Sequence, residues 1–243
     1  MACHLLGQVI FYLSGLTCTD ENFINKAGAQ RLASELGIAL VAPDTSPRGL
    51  NVEGESDNWD FGLSAGFYLN AKVEKWKNWR MYEYVVEELP ALIQRSFPNL
   101  DLGNASIMGH SMGGHGALTI ALKNPGMFKS ISAFAPICNP TQVPWGHKAF
   151  GGYLGDDQSE WAQYDATELL KTYSGVSIPI LMDTGTDDPF LEKQLTPWVL
   201  EKVAQEKQYP LTSRMQTGYN HSYFFIATFM ADHIQFHAKA LGL

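Results

Sequence analysis

Ser111 stands out in the sequence because glycines surround it in the segment GHSMGG, positions 109–114. An apolar run at 105–108 predicts a strand directly before this segment, and 113–123 predicts a helix after it. Glycines relieve crowding where a strand turns sharply into a helix, so that the serine hydroxyl can project above the sheet. The segment therefore predicts a nucleophile elbow, with Ser111 as the nucleophile and the Met112 amide as a donor to the developing oxyanion.

The same chemistry requires a base, because a serine hydroxyl is a poor nucleophile until a neighbouring group takes its proton. In chains with this kind of turn, the acid and then the histidine follow the serine. His221 meets that requirement, since it follows a predicted strand at 211–215, at the edge where open α/β sheets bind ligands. His110 and His115 are too close to Ser111 in sequence to swing back to its hydroxyl, so we expect them to be structural.

An acid that orients the histidine is expected between the serine and the histidine. The strand predicted at 178–182 leads into a loop that holds Asp183, Asp187 and Asp188. Asp183 follows the strand so closely that we expect it to be packed with the strand, whereas Asp187 lies further into the loop. Asp187 is therefore the preferred acid. Asp188 remains the alternative, although a carboxylate beside a proline is also typical of a solvated turn.

Two further histidines have a spacing that could suit a metal ion. His233 and His237 lie four residues apart on one face of a predicted helix. No third ligand and no HExxH segment accompanies them. We expect neither a metal site nor a cofactor.

Composition and charge exclude several classes of protein. The 243 residues are 45% hydrophobic and 17% charged, which is typical of a soluble globular domain. The formal net charge of -8, without a basic cluster, does not favour nucleic acid as a partner. The apolar run 5–16 has no preceding Lys or Arg and predicts a buried strand, not a signal peptide. Cys3, Cys18 and Cys138 cannot all pair, which favours a reducing, cytoplasmic location without a membrane partner.

Strands and helices alternate along the whole chain. The pattern predicts strands at 9–13, 38–42, 105–108, 131–135, 178–182 and 211–215, and helices at 23–36, 81–96, 113–123, 197–207 and 223–241. Such alternation predicts an α/β fold with a doubly wound, mainly parallel sheet and helices on both faces. We expect a single domain, 1–243, with a loop-rich insertion around 139–177.

Several segments outside the elbow are specific enough to indicate a family. They are SGLTCT at 14–19, DNWDFG at 57–62, AGFY at 65–68, RMYEY at 80–84, PWGHKAF at 144–150, GYLG at 152–155 and HSYFFIAT at 221–228. With the GHSMGG segment, they make the chain resemble the S-formylglutathione hydrolases, also called esterase D, along nearly its whole length.

This resemblance implies an α/β-hydrolase fold and a triad of Ser111, Asp187 and His221. It also implies that the Leu16 amide joins the Met112 amide in the oxyanion hole. The implied reaction is hydrolysis of the thioester S-formylglutathione to glutathione and formate, a step of formaldehyde detoxification, without metal or organic cofactor. Members of the family are typically cytosolic and often dimeric.

Formyl is the smallest acyl group, so the acyl pocket should be narrow. Trp145 and Phe67 are candidates to narrow it, although both could simply pack under a long loop. His147, in the insertion, could also line the pocket. Cys18 lies two residues after Leu16 and is expected near the oxyanion hole, although a free cysteine is commonly just a small buried apolar residue.

Two other functions fit parts of the sequence. A broad short-chain carboxylesterase or an acyltransferase would use the same elbow and triad, and only the family-like segments favour the narrower activity. A catalytically silent binding protein is conceivable, but the serine, histidine and acid are all present.

The chain departs from the family at its beginning. Members carry an additional stretch before the strand at 9–13, which forms the first antiparallel strands of the sheet, and residues 1–7 are too few to supply it. We expect an unpaired sheet edge and a loss of stability more than a loss of chemistry.

Overall fold

The computed structural model describes residues 7–243, so Cys3, His4 and most of the segment 1–7 lie outside the described residues. The six strands described are β1 (Gly7–Leu13), β2 (Ile38–Val41), β3 (Leu100–His110), β4 (Phe128–Phe134), β5 (Ile180–Gly185) and β6 (Leu211–Gln216). They form one sheet in the order β2-β1-β3-β4-β5-β6, and every neighbouring pair is parallel. The predicted parallel α/β sheet is confirmed.

Helices fill the connections between the strands. The α-helices are α1 (Asp20–Lys26), α2 (Gln30–Glu35), α3 (Met81–Glu83), α4 (Leu89–Ser96), α5 (Met112–Lys123), α6 (Pro144–Leu154), α7 (Gln158–Ala162), α8 (Ala166–Thr172), α9 (Pro197–Glu206) and α10 (Tyr223–Leu241). None of these helices combines the length and apolar character that crossing a bilayer requires.

The alternation of side chains along β4 places α10 and α5 on opposite faces of the sheet. The imidazole nitrogens of His237, on α10, lie 2.7 and 2.8 Å from the hydroxyls of Ser130 and Ser132. A Cβ built at Gly114, on α5, would lie 3.4 Å from the Cβ of Ala133. Because successive residues of a strand point to opposite faces, the two helices cover different faces, as predicted.

The single helix predicted at 23–36 is wrong, because α1 and α2 are separate. Thr19 begins α1 with a capping box: the Asn22 side chain accepts from the Thr19 amide, and the Thr19 hydroxyl accepts a backbone amide of the first turn. Gly28 has a φ of +67°, which ends the helical path before α2 begins.

The helix predicted at 81–96 is present, but it changes its winding. A π-helical turn, Tyr84–Glu88, joins α3 to α4. Pro90 follows in the first turn of α4. Proline has no amide hydrogen and its ring crowds the preceding turn, so the wider turn is a physical response to the kink expected there.

The segment 139–177 is not loop-rich, because α6, α7 and α8 make up most of it. The buried carboxylate of Asp165 holds it together. One oxygen accepts from the Asn139 side chain at 2.8 Å and the Thr141 amide at 2.9 Å, and the other caps the amides of Thr167 and Glu168 at the start of α8. Polar capping, which apolar periodicity does not report, produces these helices.

One buried tyrosine fixes the long segment that follows β2. The Tyr153 hydroxyl accepts from the Gly62 amide at 2.8 Å and donates to the Ala65 carbonyl at 3.0 Å. Its ring stacks on Phe61 with centroids 4.3 Å apart, and Trp76 packs edge-on against both rings. The segment is therefore anchored to α6 by specific contacts.

β2 lies at one edge of the sheet. A cavity of about 590 Å³, lined by Leu40, Leu89, Ile93 and Phe97 among others, lies beside this edge and α4. Among residues 7–243, β1 is the strand that pairs with β2.

Three histidines, His115, His233 and His237, are buried in the core. Burial lowers the pKa of His115 to about 4, and the carbonyl of Phe67 lies 3.1 Å from its Nε2. Burial also lowers the pKa of His237 and His233, and the carboxylate of Asp183 beside His233 only partly offsets this effect. These imidazoles are neutral in the folded protein at neutral pH.

Replacing one of these imidazoles should flatten the dependence of stability on pH. The pKa of His115 is about 4 in the folded protein and 6.5 in the unfolded chain. Between pH 6.5 and pH 4, the unfolded chain therefore binds a proton at this histidine that the folded protein does not bind. Stability is lost as the pH falls through this range. Between pH 7.5 and pH 4.5, the free energy of unfolding of His115→Leu should fall by about 2 kcal/mol less than that of the wild type. Urea unfolding at both pH values measures this difference.

His147→Gln is the matched control, since its side chain is exposed, and it should follow the wild type. An equal loss of stability in His115→Leu and the wild type would contradict the assignment of a buried, neutral His115.

Candidate active site

Ser111 lies in the sharp turn between the end of β3 and the start of α5. Its φ of +57° and ψ of -118° are strained for a residue with a side chain. The Ser111 amide donates to the Phe134 carbonyl at 2.8 Å, and the Ser111 carbonyl accepts from the His115 amide at 2.9 Å. Hydrogen bonds on both sides of the residue therefore hold the strained conformation.

Two glycines make this turn possible. A Cβ at Gly109 would lie 2.2 Å from the Gly113 carbonyl oxygen, and a Cβ at Gly113 would lie 2.0 Å from the Leu13 carbonyl oxygen. Neither position has room for a side chain, so the reason that the sequence suggests for both glycines is confirmed.

His221 forms a close pair with Asp188. The Nδ1 of His221 lies 2.5 Å from Oδ2 of Asp188, and the Asp188 side chain is fully buried. The other oxygen, Oδ1, accepts from the Phe190 amide at 2.9 Å. Both carboxylate oxygens therefore accept hydrogen bonds, and Nδ1 of His221 carries the proton that it donates.

The expectation that Asp187 is the partner of His221 is wrong. Asp187 is exposed, and its Oδ1 accepts from the Thr186 hydroxyl at 2.9 Å. The reason is the tight turn after β5: the Asp187 amide donates to the Tyr219 carbonyl, which directs the Asp187 side chain outward and the next one inward. The weaker alternative of the sequence analysis, Asp188, occupies the position.

Ser111 and His221 line one cavity of about 230 Å³ at the carboxyl edge of the sheet. The other residues lining it are Leu16, Thr17, Trp59, His110, Trp145 and Phe190. The sheet order places this cavity where the chain, after running from β1 to β2, crosses to the other side of β1 to form β3. Such a switch point leaves a crevice in open α/β sheets.

The Leu16 and Met112 amides are available at this cavity. Met112 is the first residue of α5, so its amide has no partner within the helix and carries the positive end of the helix dipole. Leu16 lines the cavity from the loop after β1. Among the hydrogen bonds between described residues, none has either amide as its donor. Both can therefore donate to a developing oxyanion.

Of the four residues expected in the substrate pocket, Trp145 lines the cavity and Phe67 and His147 do not. Phe67 is fully buried behind the elbow, where its amide lies 3.3 Å from the sulfur of Met112. The Nε2 of His147 lies 2.7 Å from the Thr141 carbonyl, on an exposed part of α6.

Cys18 also lies outside the cavity, one residue behind Thr17. Its thiol is buried, and burial raises its pKa despite a hydrogen bond with Tyr223 and the charge of Lys26, which both lower it. A buried thiol with a raised pKa is a poor nucleophile. The interpretation of Cys18 as a small buried residue therefore fits the structure better than a place in the pocket.

An aromatic wall, formed by Trp59, Trp145 and Phe190, lines the cavity, and only Trp145 was expected there from the sequence. The ring centroids of Trp59 and Trp145 lie 5.8 Å apart, those of Trp145 and Phe190 4.6 Å, and those of Phe190 and His221 5.0 Å. Trp59 was part of a family-like segment, and Phe190 follows the acid by two residues, but neither position was identified as lining the site.

A second histidine lies beside the base. The ring centroids of His110 and His221 are 4.5 Å apart. Burial first, and the neighbouring His221 second, lower the pKa of His110 well below its ordinary value. His110 is therefore neutral at neutral pH and adds no positive charge beside the base.

A parallel sheet with a strained serine turn at its carboxyl edge, facing a histidine paired with a buried carboxylate, defines a serine hydrolase with the α/β-hydrolase fold. The family model described as "Putative esterase" matches residues 6–236. The S-formylglutathione hydrolase of Arabidopsis thaliana is 61% identical, over 97% of this chain and 83% of the relative. That of Rattus norvegicus is 59% identical, over 96% and 83%. The chain belongs to the S-formylglutathione hydrolase family of esterases.

A solved structure agrees with this assignment. The S-formylglutathione hydrolase from Agrobacterium tumefaciens is 51% identical, with a TM-score of 0.93 over 99% of this chain and 86% of the other. A serine hydrolase from Staphylococcus aureus, at 16% identity and a TM-score of 0.74, shares the fold alone. The predicted fold and family resemblance are confirmed.

Replacing the two neighbouring aspartates should have unequal effects. Asp188→Asn cannot fix the His221 tautomer as a carboxylate does, so kcat on an activated ester should fall by about 10⁴. Asp187→Asn, which changes an exposed side chain, should keep a kcat near that of the wild type. Steady-state kinetics of both purified variants, with melting curves to verify folding, measure the difference. A larger loss in Asp187→Asn would restore the original expectation.

Proposed function

We propose that the protein hydrolyses S-formylglutathione to glutathione and formate, the activity in the names of its relatives. The observation that supports it best is the small cavity holding Ser111 and His221, with His221 paired to Asp188, in a chain 61% identical to one such hydrolase. The substrate is a small molecule. We also expect a homodimer in the cytoplasm, with a place in formaldehyde detoxification, and these remain predictions from the resemblance.

Acylation begins when the Nε2 of His221 takes the proton of the Ser111 hydroxyl while its oxygen attacks the formyl carbon. The carbonyl oxygen becomes an oxyanion, which the amides of Leu16 and Met112 stabilise. Asp188 stabilises the imidazolium without taking its proton. When the intermediate collapses, the carbon–sulfur bond breaks and the leaving sulfur takes the proton from His221, so glutathione departs as a thiol and the imidazole is neutral again.

Deacylation repeats these steps with water. His221 takes a proton from a water molecule as its oxygen attacks the formyl-serine, and the same amides hold the oxyanion. The bond to the Ser111 oxygen then breaks, and the serine recovers its proton from His221. The products are formate and the free enzyme.

The aromatic wall supports a preference for small acyl groups. The cavity of about 230 Å³ is smaller than most ligand sites, and Trp59, Trp145 and Phe190 form much of its lining. A formyl group fits such a space, and the three aromatic rings limit the room for longer acyl chains. This size limit favours the formyl thioesterase over a broad carboxylesterase or acyltransferase on the same fold.

The direct test is hydrolysis of S-formylglutathione by the wild type and by Ser111→Ala. The wild type should release glutathione with a higher kcat/KM than it shows for acetyl or butyryl esters. In Ser111→Ala, turnover should fall by at least about 10⁴-fold, because the hydroxyl that forms the acyl intermediate is removed. A fluorophosphonate probe should label the wild type and not the variant. A labelled enzyme without thioesterase activity would indicate the broader esterase instead.

Shortening one wall of the cavity should broaden the acyl preference. In Trp145→Ala, the ratio of kcat/KM for a butyryl ester to that for an acetyl ester should rise about tenfold, because the larger acyl chain gains space. Trp198→Ala is the matched control, since Trp198 lies on α9 with 42% of its surface exposed and does not line the cavity. An unchanged ratio in Trp145→Ala would remove Trp145 from the acyl pocket.

A further inference from the structure

A second cavity, of about 450 Å³, opens near the end of β2 at the carboxyl edge of the sheet. Its lining includes seven polar or charged residues, namely Asp44, Ser46, Arg48, Asn78, Arg80, Tyr84 and Glu88. The proposed reaction assigns none of them a role. Strand β2 ends at Val41, so this cavity and Ser111 lie on the same edge of the sheet.

One residue connects this charged cavity with the Ser111 cavity. The Arg48 Nη2 donates to the Ser64 hydroxyl at 2.8 Å, and the Thr17 amide donates to the Ser64 carbonyl at 3.1 Å. Thr17 lines the Ser111 cavity, and Arg48 lines the charged cavity. Two hydrogen bonds and one residue separate the cavities, a path on the order of 10 Å.

The charges in the charged cavity balance. Arg48 is ion-paired with Asp44, with its Nη2 2.7 Å from Oδ1, and Arg80 pairs with Glu83 outside the lining. Among the hydrogen bonds of residues 7–243, none uses the Nη1 of either arginine. Each guanidinium thus keeps one nitrogen that can donate to a bound anion.

The carboxylates of Asp44 and Glu88 line this cavity together with the phenol of Tyr84. Burial raises the pKa of Tyr84, and the charges of Glu88 and Asp44 raise it further. Glu88 forms no ion pair with the described residues. It can therefore accept from a bound ammonium group next to the arginines.

We propose that this charged cavity binds the γ-glutamyl end of the glutathione part of the substrate, a proposal that rests on the proposed function. That end is a zwitterion with one ammonium and one carboxylate on the same carbon. Arg48 and Arg80 bind the carboxylate, and Glu88 with Asp44 binds the ammonium. The glycine end of glutathione carries a carboxylate alone and matches this mixed lining less well.

The length of glutathione fits the two cavities. From the thioester sulfur to the α-carbon of the γ-glutamyl group, the extended chain spans on the order of 10 Å. The path from the Arg48 guanidinium to the Thr17 amide has a similar length. An extended substrate with its thioester in the Ser111 cavity can therefore bring its zwitterion to Arg48, with the peptide crossing Thr17 and Ser64.

The first test compares a substrate that carries glutathione with one that does not. In Arg48→Gln and in Arg80→Gln, the ratio of kcat/KM for S-formylglutathione to that for p-nitrophenyl acetate should fall about tenfold, chiefly through KM, because both charges lie in partly solvated positions. Arg31→Gln is the matched control: Arg31 is exposed on α2, pairs with Glu35 and lies outside the cavity, so the ratio should not change. An unchanged ratio in both cavity variants would overturn the proposal.

The second test does not depend on thioester hydrolysis. S-methylglutathione cannot be hydrolysed, and it should inhibit p-nitrophenyl acetate hydrolysis competitively. Its analogue with a glutaryl group in place of γ-glutamyl lacks only the ammonium and should inhibit the wild type about fivefold less well. In Glu88→Gln this preference should shrink. Equal inhibition of the wild type by the two compounds, or none by S-methylglutathione, would overturn the proposal.

These readouts separate the two proposals. One outcome is that the wild type hydrolyses S-formylglutathione while neither the replacement of Arg48 or Arg80 nor the loss of the ammonium group from the inhibitor has an effect. That result refutes the proposed role of the charged cavity and leaves the proposed function intact. A wild type that does not hydrolyse S-formylglutathione, yet is inhibited by S-methylglutathione with the expected ammonium preference, refutes the proposed function and supports the cavity.

Discussion

The backbone at the start of α5 lies in close contact with the backbone at the carboxyl end of β1, and the arrangement around Ser111 depends on this contact. Gly113 lies so close to the Leu13 carbonyl that any side chain there would clash, and this closeness lets α5 begin directly against β1. The contact sets the amide of Met112 and the loop that carries Leu16 on either side of Ser111. The strain at the serine is of the order of 1–3 kcal/mol, and the hydrogen bonds of its own amide and carbonyl help to offset it. The positions of the Leu16 and Met112 amides, of Ser111 and of the crevice between the strands therefore all follow from one close approach.

Features that depend on a local sequence pattern were predicted correctly, whereas residues whose position depends on the turn after β5 were not. Strands, most helices, Ser111 and His221 were recognised because apolar periodicity and a glycine-flanked serine are local signals. The choice between Asp187 and Asp188 was not local: it depends on the amide of Asp187 reaching a carbonyl in the loop before His221, which no spacing along the chain reveals. Phe190 was missed for the same reason, since its contact with the base arises only after that turn has formed.

The helix that follows the base is fixed by buried polar groups. His233 lies 2.8 Å from the Ser132 hydroxyl, and His237 contacts two serine hydroxyls of β4. The two histidines whose spacing could suit a metal ion therefore attach α10 to the sheet. Asp183, fully buried at the end of β5, accepts twice from Arg214 at 2.6 Å. Removing one partner of such a buried pair would leave an uncompensated charge, which makes the arrangement specific. Because α10 begins directly after the loop of the base, this anchoring also limits how far the imidazole can move.

The residues that surround the reacting carbon come from elements that are fixed separately from the triad. Trp59 lies in the segment that Tyr153 holds, and Trp145 lies on α6, within the helical insertion that Asp165 closes. Phe190 alone belongs to a loop that also carries a triad residue. A substitution in the first two segments can therefore change the space for the acyl group while the pair of His221 with its carboxylate stays in place. The aromatic rings of the cavity therefore depend on insertions, whereas Ser111 and its turn depend on backbone contacts that the sheet itself imposes.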